Sequence, residues 1–230
     1  MKKKYIICAG LAVILVTTNS FAQNTAAKVN KNDPAFKAEQ FVAALNLADT
    51  SKASRVKATI FAQMIAVREW HNSHAYTLVP EGVDPINGKV YSLLQRQFII
   101  DSTIPKTVHD ALMAGLKQEL TDDQIAIILD KYTIGKLEFT MTGYKAIVPD
   151  MTPADEAFIM TELKAAREES VDYKDVKNEM STIFKIHKTK VEDYFYSTGR
   201  NWKTMYKAYV DKIIAAKKAG KPVPAEPTEN

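Results

Sequence analysis

The chain has 230 residues, of which 46% are hydrophobic and 25% charged, with one cysteine and a formal net charge of +4. That length suits one domain of ordinary size. The basic excess lies largely in the first residues, so a nucleic-acid or anionic-membrane partner is not expected.

Residues 1–22 read as a cleavable signal peptide. Lys2, Lys3 and Lys4 form its positive start, and Tyr5 to Val16 is an apolar run too short to span a bilayer comfortably. Ser20-Phe21-Ala22 places small residues where a signal peptidase reads. Cys8 lies too early in the apolar run to carry a lipid anchor. Cleavage after Ala22 leaves about 208 residues, a charge near +1 and no cysteine, so an exported domain would rest on its core alone. The expectation is a periplasmic or secreted protein with no transmembrane span after signal removal.

Residues 23–31 are polar and lack periodicity, and read as a flexible leader. The helical domain is expected over 32–218. Asp33-Pro34 starts a first helix, with Phe36, Phe41 and Leu45 inward and an end near Leu47. Asp49-Thr50-Ser51 caps a second, long helix to about Leu78. Its inward stripe is Val56, Ile60, Met64, Val67, His71, His74 and Leu78. Val79 to Gly88 is a loop rich in proline and glycine. Tyr91 to Ser102 is helical, with Leu94, Phe98 and Ile99 inward. Pro105 opens a well-buried helix through Leu120. Thr121 and Gln124 form a capping box for the next, with Ile125, Ile128 and Leu129 inward.

Ile134, Leu137, Met141 and Tyr144 keep helical spacing through Tyr132 to Val148, with an irregularity expected near Gly143. Thr152-Pro153 starts a helix to about Val171. Another runs from Lys174 to Tyr196, with Val176, Met180, Ile183, His187, Val191 and Tyr194 on one stripe. Ser197-Thr198-Gly199 stops it. Asn201 caps the last helix, Trp202 to Lys218. Residues 219–230 read as a disordered tail. The fold class is all-α, a single-domain multi-helix bundle of about eight helices.

Several stretches resemble one family: Arg68-Glu69-Trp70-His71-Asn72, Leu112-Met113-Ala114-Gly115-Leu116, Asp130 to Lys136, and Gly143 to Pro149. Ala166-Arg167-Glu168 and Lys207 to Asp211 belong to the same resemblance. The family is an uncharacterised group of exported Bacteroidota proteins, a domain of unknown function for which sugar binding is suggested. The resemblance covers nearly the whole mature chain and implies a role in polysaccharide use.

The densest group of binding side chains is Arg68, Trp70, His71, Asn72, His74 and Tyr76. A sugar presents an apolar C–H face to an aromatic ring and hydroxyls to paired donors and acceptors. In that reading Trp70 stacks, Arg68 and Asn72 bond hydroxyls, and the histidines form the floor. Competing with it, His71 and His74 end a core stripe. No third local ligand shares their face, so no metal and no cofactor is expected. Tyr132, Tyr144 and Trp202, near Gly135, Gly143 and Gly199, are further aromatics a ligand could approach. His187 and His109 read as satisfied core histidines, and Glu168-Glu169 as a solvated, ion-paired helix face.

The principal reading is an oligosaccharide-binding protein rather than an enzyme. No Gly-x-Ser-x-Gly turn, phosphate loop or dinucleotide fingerprint is present. A glycan-active hydrolase or lyase is the alternative, and would need facing carboxylates across a cleft. Leu120-Thr121-Asp122-Asp123-Gln124 also resembles a motif of periplasmic helical chaperones and stress sensors, although the capping box accounts for it.

Overall fold

Polar residues at the helix starts decide where the elements begin. In the computed structural model, which describes residues 30–85, 88–174 and 178–221, Asp33 accepts from the amides of Ala35 and Phe36 and opens α1, Pro34–Ala43. Asp49 does the same for α2, Thr50–Ser73. Ser92 with Gln95 is a capping box for α3, Leu93–Asp101. α4, Lys106–Glu119, follows Pro105. Thr121 with Gln124 caps α5, Asp122–Tyr132, with both reciprocal bonds formed. α6 is Lys136–Ile147. Thr152 with Asp155 caps α7, Pro153–Glu169. α8 is Glu179–Ser197, and Asn201 caps α9, Trp202–Lys218. The described residues thus hold nine α-helices, two single 3-10 turns and one isolated β-bridge, Val83 to Val90. The all-α expectation holds.

The ends differ from the expected ones for local reasons. α1 stops at Ala43 because the chain turns through i→i+3 bonds at Leu45 and Asn46, and Asn46 adopts φ 48°. Phe36, Phe41 and Leu45 are only half-buried, while Ala38 and Val42 are buried. α2 ends at Ser73 rather than Leu78. The Ser73 hydroxyl donates back to the carbonyls of Glu69 and Trp70, and His74 leaves helical geometry at φ −122°, ψ 85°. Tyr76–Leu78 forms a 3-10 turn, and Leu78 stands exposed instead of on the inward stripe.

In α3 the buried residues are Arg96 and Asp101, not Leu94, which is exposed. The irregularity expected at Gly143 lies instead at Ile134 and Gly135, both left-handed at φ 53° and 70°. α6 passes unbroken through Gly143. The last turn before Tyr173 is a 3-10 turn, Ser170–Asp172, so α7 ends two residues early. α8 is described from Glu179, and Val176 lies outside the described residues, as do residues 1–29, where a signal peptide and most of the leader were expected, and residues 222–230.

Two apolar clusters fill the domain. Ala38 and Val42 of α1, Val56 and Ile60 of α2, Leu112 and Leu116 of α4, and Ile125, Ile128 and Tyr132 of α5 form the first. Leu137, Met141 and Tyr144 of α6, Ile159 and Leu163 of α7, Ile183, Val191 and Phe195 of α8, and Trp202 of α9 form the second.

Polar bridges link the helices, and the one from Arg167 to Asp130 joins elements of the two clusters. Buried Gln63 donates to the Val171 carbonyl at 2.6 Å and accepts from the Tyr132 hydroxyl at 2.9 Å. Arg167 of α7, itself buried, reaches Asp130 of α5 at 2.9 Å. Asp155, 1% exposed, is clasped by the Arg200 guanidinium and the Tyr194 hydroxyl. This fixes the α8–α9 turn on the start of α7.

Candidate functional site

The end of α2 gathers the residues expected to bind a ligand, and its contacts run mostly within the chain. The Trp70 ring is half-buried and stacked on the His74 imidazole at 3.7 Å, and its indole N–H donates to the Ile100 carbonyl at 3.4 Å. His74 Nδ1 donates to the Trp70 carbonyl at 2.9 Å. His71 Nδ1 lies 2.6 Å from an Asp101 carboxylate oxygen. Asn72 is exposed and accepts from Lys174 Nζ at 2.7 Å.

The Tyr76 amide donates to Gln97, and the Arg96 guanidinium covers the Tyr76 ring at 5.4 Å. Arg96 also donates twice to the Val79 carbonyl. Arg68 is half-buried. The window therefore works as a joint that seats α3 and the following loop on the end of α2. His71 and His74 do not face one ligand together: one turns to Asp101, the other back to Trp70.

A cleft of about 570 Å³ opens between α4 and the end of α7. Lys106, His109, Glu168, Glu169, Asp172 and Tyr173 line it. His109 presents Nδ1 to Asp172 at 2.9 Å and Nε2 to Glu168 at 3.3 Å. An imidazolium satisfies both partners with two donors. The Asp172 bond, with Glu168 adding to it, raises the pKa of His109 above its ordinary value. Next to it, Glu169 bonds His187, which is buried between Glu169 at 3.2 Å and Glu162 at 2.7 Å. All three carboxylates at the cleft are thus tied to histidines. Ion pairing on this face was expected from sequence, and its partners are histidines from α4 and α8.

A second hollow, about 390 Å³, lies between α6, α8 and α9. α6 contributes Lys136, Phe139, Gly143 and Tyr144, α8 contributes Lys185 and Lys188, and α9 contributes Trp202 and Tyr206. Helical spacing places each set on one face: 136, 139, 143; 185, 188; 202, 206. Lys188 Nζ sits 5.8 Å and 5.9 Å from the Trp202 and Tyr206 ring centres, and Lys136 lies 4.7 Å from that of Phe139. The described residues lining the groove include three lysines, of which Lys188 also pairs with Glu192 at 3.4 Å.

Tyr144 is 3% exposed, and its hydroxyl makes no hydrogen bond among the described residues. Burial raises its pKa, with Glu192 adding to the effect. Tyr144, Gly143 and Trp202 thus line one hollow. Tyr132 is not among them; it packs on Phe41 in the other cluster. The lysines, Phe139 and Tyr206 were not singled out from sequence. Their spacing was legible, but the adjacency of α6, α8 and α9 was not.

The chain belongs to a family described as a protein of unknown function (DUF3826), matched over residues 32–215. No curated protein matches it. The Leu-Thr-x-x-Gln motif forms the capping box of α5, with both of its reciprocal bonds in place. Among the described residues no helix is long and apolar enough to cross a membrane.

Proposed function

We propose that this protein is an exported carbohydrate-binding protein, and that its ligand lies in the groove between α6, α8 and α9. The observation that carries the reading is the lining of that groove: aromatic rings of α6 and α9 beside three lysines. Sugar C–H faces pack on such rings, and ammonium groups favour sugars bearing carboxylates. The unpartnered Tyr144 hydroxyl at the floor supports the same reading. A buried hydroxyl without a bond costs roughly 1–3 kcal/mol, which a ligand hydroxyl or a carried-in water would recover. The end of α2 offers less, because Trp70, His71, His74 and Tyr76 already hold one another and α3.

Calorimetric titration tests this with uronic-acid oligosaccharides and neutral plant oligosaccharides. The expected result is binding of the acidic set, weakened about tenfold or more in Lys185→Gln and Lys188→Gln, as loss of a charged hydrogen bond implies. Tyr206→Ala, on an exposed ring, should also weaken it. No heat with any oligosaccharide, from a well-folded sample, defeats the reading.

A further inference from the structure

At the joint at the end of α2, His71 and Asp101 also belong to a cluster with a third residue, from α8. His71 at the end of α2, Asp101 at the end of α3 and Glu179 at the start of α8 each offer one donor atom, and the three atoms lie within 4.8 Å of one another. Asp101 is 2% exposed and Glu179 1% exposed, while His71 keeps part of its surface open. We propose that these three residues form a binding site for a first-row divalent transition-metal ion, of the zinc, cobalt or manganese kind.

Three features carry the proposal. First, the donors come from three elements far apart in sequence, so tertiary packing and not helix spacing brings them together. Second, two carboxylates sit almost wholly out of water within a few ångströms of each other. A divalent ion held by an imidazole and two carboxylates matches the combined charge of the two carboxylates. Third, the cluster has the orienting bonds typical of a metal site's surroundings. Gln97 donates to the other Asp101 oxygen at 2.9 Å and to the His74 carbonyl at 3.1 Å, and its own oxygen accepts the Tyr76 amide at 2.9 Å. The Asp101 carboxylate is thereby held in one orientation.

One imidazole with two carboxylates selects against calcium and magnesium, which prefer all-oxygen shells, and in favour of ions that take nitrogen. Three protein donors leave coordination positions open to water. Tyr173, which lines the α4–α7 cleft, stacks at 5.0 Å on Phe98 of α3, the helix that ends in Asp101.

The test is titration of the chelator-treated, purified chain with zinc and with cobalt, read by calorimetry and by the cobalt d–d absorption. Thermal unfolding with and without metal accompanies it. One ion per chain should bind, with a cobalt spectrum of a nitrogen–oxygen site and a rise in Tm. Asp101→Asn and Glu179→Gln keep side-chain shape. Each should weaken binding by about 100-fold or more, and Gln97→Ala by about tenfold. The rise in Tm should vanish in both carboxylate variants, whatever their own starting stability. His74→Asn and His109→Asn should bind as the parent does. Absence of stoichiometric binding, equal affinity in Glu179→Gln, loss of binding in His109→Asn instead, or tighter binding of calcium or magnesium would each overturn the proposal. None of these outcomes bears on the carbohydrate groove, which shares no residue with the cluster.

Discussion

Asp155 shows what one residue can hold. Its side chain accepts the Thr152 amide in the α7 capping box at 2.8 Å, the Tyr194 hydroxyl at 2.9 Å and the Arg200 guanidinium. The Arg200 bond comes first among the causes that keep its carboxyl well below the usual carboxylate range, and the Thr152 and Tyr194 bonds add to it. Removing one partner of such a pair leaves the other charge poorly compensated. Asp155→Asn should therefore destabilise the protein by about 3 kcal/mol, measured as a shift in the urea unfolding curve. The exposed Asp193→Asn should move it by less than about 0.5 kcal/mol. The sequence made Asp155 legible as a favourable charge in the first turn of a helix. Its link to Arg200, 45 residues away, was not legible, because no local pattern encodes which turn lies over which helix start.

At the scale of elements, α2 and α4 approach closely at Gly115. A Cβ built on Gly115 would lie 2.7 Å from Thr59 Cγ2 and 3.0 Å from Thr59 Oγ1. Both branches of the threonine point at the glycine, and its hydroxyl also donates to the Arg55 carbonyl at 3.1 Å, so rotation does not clear the space. Gly115→Ala should cost about 1–3 kcal/mol from overpacking, despite the higher helix propensity of alanine. Thr59→Ala should restore most of it, giving a coupling energy in a double-mutant cycle of denaturation midpoints. The helix starts were readable because caps are local: Asp33, Asp49, Thr121, Thr152 and Asn201 all bond amides two or three residues on. The ends were less so. Ser73 and His74 end α2 by satisfying carbonyls with side chains, in a stretch whose apolar spacing continues to Leu78.

For the molecule as a whole, two titrating groups set opposite limbs of stability against pH. The folded pKa of Asp155 lies below its ordinary 3.8. Its contribution is present above that ordinary value and is lost as pH falls through the folded one. The folded pKa of His109 lies above its ordinary 6.5, through Asp172 and then Glu168. Its contribution is complete below 6.5 and is lost as pH rises through the folded value. Thermal unfolding across pH should thus show greatest stability between these limits. Asp155→Asn should flatten the acid limb, and His109→Gln the alkaline one. Because His109 is partly exposed, the second change should be the smaller. An alkaline limb unchanged in His109→Gln would show that the His109 pairing does not contribute to it.

The sequence by itself determined the helices, most of their caps, and the apolar faces of α5 and α8, because these follow from bonds and periodicity within a few residues; α4, expected to be well buried, exposes one side through Lys106, Asp110, Ala114 and Lys117. It also picked out the window at the end of α2 as chemically rich. Only the tertiary structure decided which groups that window meets: Trp70 lies against His74, and His71 lies beside Asp101 and Glu179, two carboxylates from α3 and α8. The groove of Lys136, Lys185, Lys188, Trp202 and Tyr206 likewise exists only once α6, α8 and α9 pack together. The physical reason is the same in both cases. Local spacing fixes which face of a helix a side chain occupies, whereas the face it meets is chosen by burial of the two apolar clusters as a whole.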